Sequence, residues 1–209
     1  MRLQISSILS ILACTCMQYL SAQHADTAST GKKQFPIEIS FFNHAVAMPF
    51  DGIVLSPVHP GFSMGTEYSY MTRKGTLYQA LHAGYFHNKY VARALFLETK
   101  IGFRYTFRPG IFANVGLGVG YLHSFRPAKK IFALDKNGVY EEVKDYGKAA
   151  FTVSLCVEAG YAFGVKTDWP VSLFVRYEPL VQMPYSVESG IYPHVKQHIG
   201  FRFCLKRKK

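Results

Sequence analysis

The sequence predicts an all-β chain: an eight-stranded antiparallel up-and-down transmembrane β-barrel behind a cleaved N-terminal signal peptide. Three observations predict it. Apolar and polar residues alternate with period two over stretches longer than ordinary strands. The connections between those stretches are alternately long and short. After the N-terminus, the 209 residues contain no uninterrupted apolar run of about 20 that could cross a bilayer as a helix. The 17 Gly, 14 Tyr and 17 Phe also favour strands and turns over helices.

Residues 1–22 read as a secretory signal: Arg2, an apolar stretch from Ile5, and small residues before Gln23, with cleavage after Ala22. A competing reading takes Ile11-Leu12-Ala13-Cys14 as a lipoprotein box with Cys14 acylated. Cys14 and Cys16 leave with the signal, so Cys156 and Cys204 remain in an oxidising compartment. They fall on different strands at different heights, which argues for small lumen-facing fillers over a disulfide.

A polar, basic segment, 23–35, leads to the barrel, 36–209. The first strand, 37–47, sets Ile37, Ile39 and Phe41 against Glu38, Ser40, Phe42 and His44. Pro49, Pro57 and Pro60 make 48–60 a connection. The second strand, 61–72, turns Phe62, Met64, Tyr68 and Tyr70 outward, and Arg73-Lys74-Gly75 turns the chain. In the third, 76–86, Leu77, Leu81, Ala83 and Tyr85 alternate with Tyr78, Ala80, His82, Gly84 and Phe86.

The fourth strand, 94–107, shows the pattern most fully. Leu95, Leu97, Ile101, Phe103, Tyr105 and Phe107 share one face, while Glu98, Lys100, Gly102 and Arg104 share the other. Roughly 9–11 tilted residues cross a bilayer as a strand. Pro109-Gly110 ends it. The fifth, 111–123, puts Gly116, Gly118 and Gly120 on its polar face, where they leave room for large opposite side chains; a dinucleotide fingerprint would need a turn opening a helix instead.

Residues 124–148 form the longest connection, and Asp135-Lys136-Asn137-Gly138 suggests a projecting hairpin. The sixth strand, 149–164, alternates Phe151 to Phe163 outward with Cys156 and Glu158 inward. The seventh, 170–181, places Arg176 and Glu178 inward, and the eighth, 195–205, does the same for Lys196 and Arg202. Connections after the first, third, fifth and seventh strands are the longer set.

The choice of face decides between classes of function, because a secreted lipocalin-like ligand-binding barrel would turn its apolar face inward. The mixed face carries Glu38, Glu67, Glu98, Glu158 and Glu178 against Lys100, Arg104, Arg176, Lys196 and Arg202. Facing lipid, each Arg or Lys at the midplane would cost about 2–4 kcal/mol. These ten residues therefore belong in the lumen, as a packed ionic network with no open pore. On the other face, Tyr68, Tyr70, Tyr105, Phe107, Tyr161, Phe163, Phe201 and Phe203 fall at one rim, and Tyr85, Tyr121 and Tyr177 near the other. Aromatics at two levels read as interfacial girdles.

On these patterns the mature chain resembles the small eight-stranded outer-membrane barrels of the OmpA transmembrane domain and OmpX type. The last strand, ending His198-Ile199-Gly200-Phe201-Arg202-Phe203, is similar to the C-terminal signal by which such barrels are inserted, although Cys204-Leu205 and four basic residues follow it here. The resemblance implies a cell outer membrane location with both termini periplasmic, and contacts with outer-membrane lipid, lipopolysaccharide and the barrel assembly machinery. It also implies a structural or surface-interaction role, with an extracellular ligand met through 124–148.

Loss of Arg2 takes the formal charge from +11 to +10. Lys32, Lys33, Arg73, Lys74, Arg108, Lys166 and the tail 206–209 concentrate it at the inferred periplasmic rim, where anionic headgroups are worth about 1 kcal/mol per basic residue. Nucleic acid is not an expected partner of a secreted barrel. A rim enzyme acting on lipid A needs a His beside a Ser or carboxylate. His123 and Ser124 are adjacent and so face opposite ways on a strand, leaving no catalytic residue to nominate. His and Cys are scattered over different strands, so neither a metal nor a cofactor is expected.

Overall fold

The computed structural model describes residues 34–48, 57–71, 75–107, 110–127, 131–134, 140–163, 171–184 and 190–206; the expected signal, most of the segment after it and the last basic residues lie outside these. Ten strands occur in chain order: β1 (Gln34–Ala45), β2 (Pro60–Met71), β3 (Thr76–Asn88), β4 (Ala92–Thr106), β5 (Ile111–Phe125), β6 (Ile131–Leu134), β7 (Tyr140–Val143), β8 (Lys148–Phe163), β9 (Val171–Met183) and β10 (Tyr192–Lys206). Eight close into a barrel in the order β1-β10-β9-β8-β5-β4-β3-β2, every neighbour antiparallel. The seam between β1 and β10 runs from Gln34↔Lys206 to Ala45↔Val195, so both ends of the barrel chain lie at the same rim. β6 and β7 pair only with each other, forming a hairpin within the long connection between β5 and β8.

Period-two alternation becomes two surfaces. In β4 the even-numbered Ala94, Phe96, Glu98, Lys100 and Gly102 are buried, while Leu95, Leu97, Ile101 and Phe103 are exposed. The outer wall is apolar on every side: Leu117 is 60% exposed, Phe41 58%, Ile199 57% and Val175 56%. Facing in β3, ambiguous from its mild sequence contrast, resolves with Tyr78, His82 and Phe86 inward and Leu77, Leu81 and Tyr85 outward.

Strands run further toward the loop end than alternation alone suggests. β3 continues to Asn88, β5 to Phe125, and β10 starts at Tyr192. Asn88 and His194 are buried in the lumen mouth, where polar side chains satisfy one another; in sequence the same residues resemble a loop. The connections at this end are consequently uneven, with only 89–91 between β3 and β4. At the opposite rim, the turn expected around 165–169 lies outside the described residues. Ser69, on the inward period of β2, is exposed because the lumen opens to solvent at its rim, and Ala45, on the outward period of β1, is buried opposite Val195 where the chain folds back and His44 N donates to the His59 carbonyl.

Two local features follow from residue type. Gly110 takes a φ of 117°, which lets its N–H donate to the Phe107 carbonyl at 2.9 Å and its own carbonyl accept from Ala162 N at 2.9 Å. Pro179 sits in mid-strand in β9 without an N–H, and the β8–β9 ladder, continuous to Ser154↔Leu180, resumes only at Val157↔Tyr177. Pairing of Pro179 with Val195 on the other side is retained.

Candidate functional site

The lumen gathers the ten charged residues singled out from the sequence, and register explains how. Glu158 opposes Arg176, Glu178 opposes Lys196 and Glu38 opposes Arg202 across adjacent strands. Further bonds reach beyond the neighbouring strand. Lys100 on β4 donates to Glu178 on β9, Lys196 on β10 reaches Glu98 on β4 at 3.2 Å, and Arg104 on β4 grips Glu67 on β2 with two bonds of 2.8 and 2.6 Å.

The charges sort into two neutral groups. Glu98 and Glu178 share Lys100 and Lys196; Glu38, Glu67 and Glu158 share Arg104, Arg176 and Arg202. His82 joins the second through Glu38 at 3.0 Å, and His198 lies 3.7 Å from Glu178. Eight of the ten residues are buried; Arg104 and Glu67, toward the short-turn rim, are nearly so. Charges removed from water this far are tolerable only when each has partners and hydrogen bonds. Arg with Glu gives the planar, multidentate contacts, while Lys supplies point charges that two carboxylates share.

Aromatic residues inside the lumen are the component that charge counting missed. Phe42, Tyr78, His82, Phe96, Phe112 and Phe174 each stand opposite a glycine on the next strand: Gly61, Gly102, Gly65, Gly84, Gly160 and Gly200. At every one of these glycines a Cβ would run into the facing ring. The glycines are seats, and the rings fill them. The rings in turn carry cations: Lys196 Nζ lies 4.0 Å from the Phe96 centroid, Arg176 lies 4.7 Å from Phe174, Arg104 lies 4.8 Å from Tyr78, and Arg202 lies 5.2 Å from Phe174. Glycines 118 and 120 oppose Lys100 and Glu98 instead, leaving space for their long stems. The sequence signal that could have found this is an inward aromatic one register step from an inward glycine, legible only after pairing is known. Cys156 is a free, buried thiol on this face; the side chain of Cys204 lies outside the described residues.

Toward the loop end the lumen is capped by an apolar cluster of Phe42, Phe86, Ala94, Phe96 and Leu122. Beyond it His44, His194, Asn88 and Gln182 are hydrogen-bonded together. Outside the barrel, His123 and Ser124 do not meet each other. His123 binds the Tyr121 hydroxyl at 2.9 Å and the Tyr146 carbonyl at 3.1 Å, and Ser124 Oγ donates to the Lys148 carbonyl at 3.4 Å. Asp145 closes the base of the hairpin, accepting from Arg126 N at 2.7 Å and Gly147 N at 3.0 Å; these two bonds hold its carboxyl below the usual range. Tyr85, Arg93, Phe125 and Asp145 line an open depression of about 300 Å³ beside it. Among the described residues no cluster of His, Cys, Asp and Glu could hold a metal ion.

The outward aromatics occupy defined places. Tyr68–Tyr70 on β2, Tyr105 with Phe107 just past β4, Tyr161–Phe163 on β8 and Phe201–Phe203 on β10 pack as rings at 5.0, 4.7, 4.9 and 6.1 Å, all near the short-turn rim. Tyr85 and Tyr121 are exposed nearer the loop end, and Tyr177 is half-buried.

No family model and no curated protein matches this chain in sequence. Solved structures do match it in shape, small outer-membrane β-barrels among them. Neisserial surface protein A is 10% identical with a TM-score of 0.50, over 83% of this chain and 96% of that one. The outer membrane enzyme PagL is 11% identical with a TM-score of 0.45, over 80% and 97%. Ail, the attachment invasion locus protein of Yersinia pestis, is 13% identical with a TM-score of 0.40, over 83% and 100%. The likeness to Neisserial surface protein A is one of fold: a closed antiparallel barrel of eight strands.

Proposed function

We propose that this chain is an outer-membrane β-barrel that spans the bilayer with its apolar wall, keeps its lumen shut with a neutral ionic plug, and acts through its loop end. The observation that carries this reading is the division of the two faces. Large apolar side chains stand exposed around the barrel while ten formal charges neutralise one another inside. Such a wall is at home in hydrocarbon and not in water. The paired outward aromatics near one rim, with Tyr85 and Tyr121 near the other, then serve as interfacial girdles.

In this reading both termini and the short turns lie in the periplasm, residues 1–22 are the export signal, and the basic tail meets anionic headgroups. Outer-membrane lipid, lipopolysaccharide and the assembly machinery are the contacts of the wall and of the C-terminal strand. The β6–β7 hairpin and its anchored base form the surface offered to an extracellular ligand, so the role is structural or interactive, not catalytic. Supporting this, both ring nitrogens of His123 are already engaged, one by a tyrosine and one by a main-chain carbonyl.

The deciding experiment is expression with the export signal intact, followed by fractionation and electrophoresis with and without boiling. Recovery in the outer membrane with heat-modifiable migration, and no conductance steps from the purified protein in a planar bilayer, is the expected result. A soluble periplasmic or secreted protein would overturn the membrane reading; stable channels would overturn the plug. Hydrolysis of labelled lipid A that His123→Ala abolishes would overturn the non-catalytic role.

A further inference from the structure

We propose that His44 and His194 form a proton-operated latch across the loop end of the lumen, closed while both rings are neutral and released when either gains a proton. His44 on β1 and His194 on β10 are 1% and 2% exposed, and His44 Nε2 lies 3.0 Å from His194 Nδ1. All four ring nitrogens have partners: Asn88 Nδ2 is 3.3 Å from His44 Nδ1, and Gln182 Oε1 is 3.1 Å from His194 Nε2.

The directions of these bonds are fixed from the Asn88 end. Asn88 Oδ1 accepts from Tyr90 N at 3.0 Å, so its amide nitrogen is the group facing His44 and must donate to Nδ1. His44 therefore carries its proton on Nε2 and donates it to His194 Nδ1. His194 in turn carries its proton on Nε2 and donates to the Gln182 carbonyl oxygen. Each of the three N–H groups directed along the chain meets an acceptor. A proton added from solvent can go only to Nδ1 of one ring or the other. On His194 it sets N–H against the N–H of His44; on His44 it sets N–H against the amide of Asn88.

Surrounding charge adds to the effect. On β10, Lys196 is the neighbouring cation, and its ammonium is held by Glu98 on β4 and Glu178 on β9, which it shares with Lys100. From the connection before β2, His59 contributes a third titratable ring, and Tyr192 lies edge-on to His194. Phe86 of β3 stacks flat on His44 at 3.9 Å, an apolar neighbour. No carboxylate among the described residues is hydrogen-bonded to either ring, so a new positive charge there is unopposed.

Asn88 is the joint through which release spreads. Its side chain caps the 89–91 turn while its amide reaches the latch, and its carbonyl accepts from Val91 N at 3.3 Å. Loss of the latch therefore loosens the β3–β4 turn and separates it from β10. The ionic groups below keep their own pairings, so the device acts on the outer mouth and does not depend on what the hairpin binds.

The test uses the full mature chain, refolded in micelles, with amide exchange at Tyr90 and Val91 compared between about pH 7.5 and about pH 5 after correction for intrinsic exchange. A histidine that gains its proton only in the open form raises the opening equilibrium about 30-fold over that interval. His44→Gln with His194→Asn replaces the pair by amides that do not titrate, and the rise should vanish. Unchanged exchange in the native chain, or a rise that survives in the double variant, overturns the latch. Should the variant fail to fold, nitrogen-15 imidazole spectra of the native chain decide: both rings must carry their neutral-pH proton on Nε2, and any other tautomer overturns the proposal.

Discussion

Glu178 is the residue whose removal tests the lumen most severely. It is fully buried on β9, binds Lys100 and, at 2.8 Å, Lys196, and has His198 at 3.7 Å. Glu178→Leu leaves two ammonium groups to one carboxylate, Glu98, at 2.9 and 3.2 Å. An uncompensated buried charge costs about 3–5 kcal/mol. At a slope of about 1–3 kcal/mol per molar urea, that moves the unfolding midpoint by at least about 1 M. The pair Glu178→Leu with Lys100→Met removes one charge of each sign and leaves Glu98 bound to Lys196. Its cost should fall to about 0–2 kcal/mol, at least about 1 kcal/mol below that of Glu178→Leu alone. The assay is urea unfolding of the refolded barrel in lipid vesicles, followed by circular dichroism. A single variant within about 1 kcal/mol of the native chain, or a double variant worse than both singles, would refute the balance of charge within that group.

Three further outcomes are expected. Gly200→Ala drives a methyl group into the Phe174 ring and the Ile39 carbonyl, and overpacking of this kind costs about 1–3 kcal/mol in the same urea assay. Gly190→Ala, with nothing within 4 Å, should fall within about 0.5 kcal/mol of the native chain and serves as its control. The Asp145 carboxylate, held low by two main-chain N–H groups, contributes to hairpin stability fully above its unfolded value near 3.9 and loses that contribution as pH falls through the folded value. Proteolysis of the β6–β7 hairpin should then be flat from about pH 8 to 5, rise below about pH 4, and lose its acid dependence in Asp145→Asn.

Strand pattern and facing were legible because two opposite environments, hydrocarbon-like wall and packed lumen, impose contrast on every second residue. The stretch 94–107 carries that contrast in both faces, and β4 occupies 92–106. Legibility failed where the contrast did. His194 and Asn88 belong to strands yet look like loop residues, since in the lumen mouth polar groups satisfy each other in place of water. The ten charged residues could be assigned to one face from period alone, but not their pairings. Glu98 meets Lys196 only because β4 and β10 face each other across the barrel, a relation between positions 98 residues apart. The glycine seats were half visible: the inward glycines of β5 implied large opposite side chains, which Lys100 and Glu98 supply at Gly118 and Gly120, whereas the rings over Gly84 and Gly200 required the register itself.

That register has a bearing on how the wall zips up. A slip of one residue between strands inverts both faces and is punished at once by misplaced charge. A slip of two keeps every polar group inward, so alternation is blind to it. The ring-and-glycine pairs are not blind. Shifted by two, Phe96 would meet Phe86 or His82 in place of Gly84, and Phe174 would meet His198 or Arg202 in place of Gly200. Five of the eight interstrand joints carry such a check, which makes the small residues a proofreading device for assembly as well as a packing solution for the finished barrel.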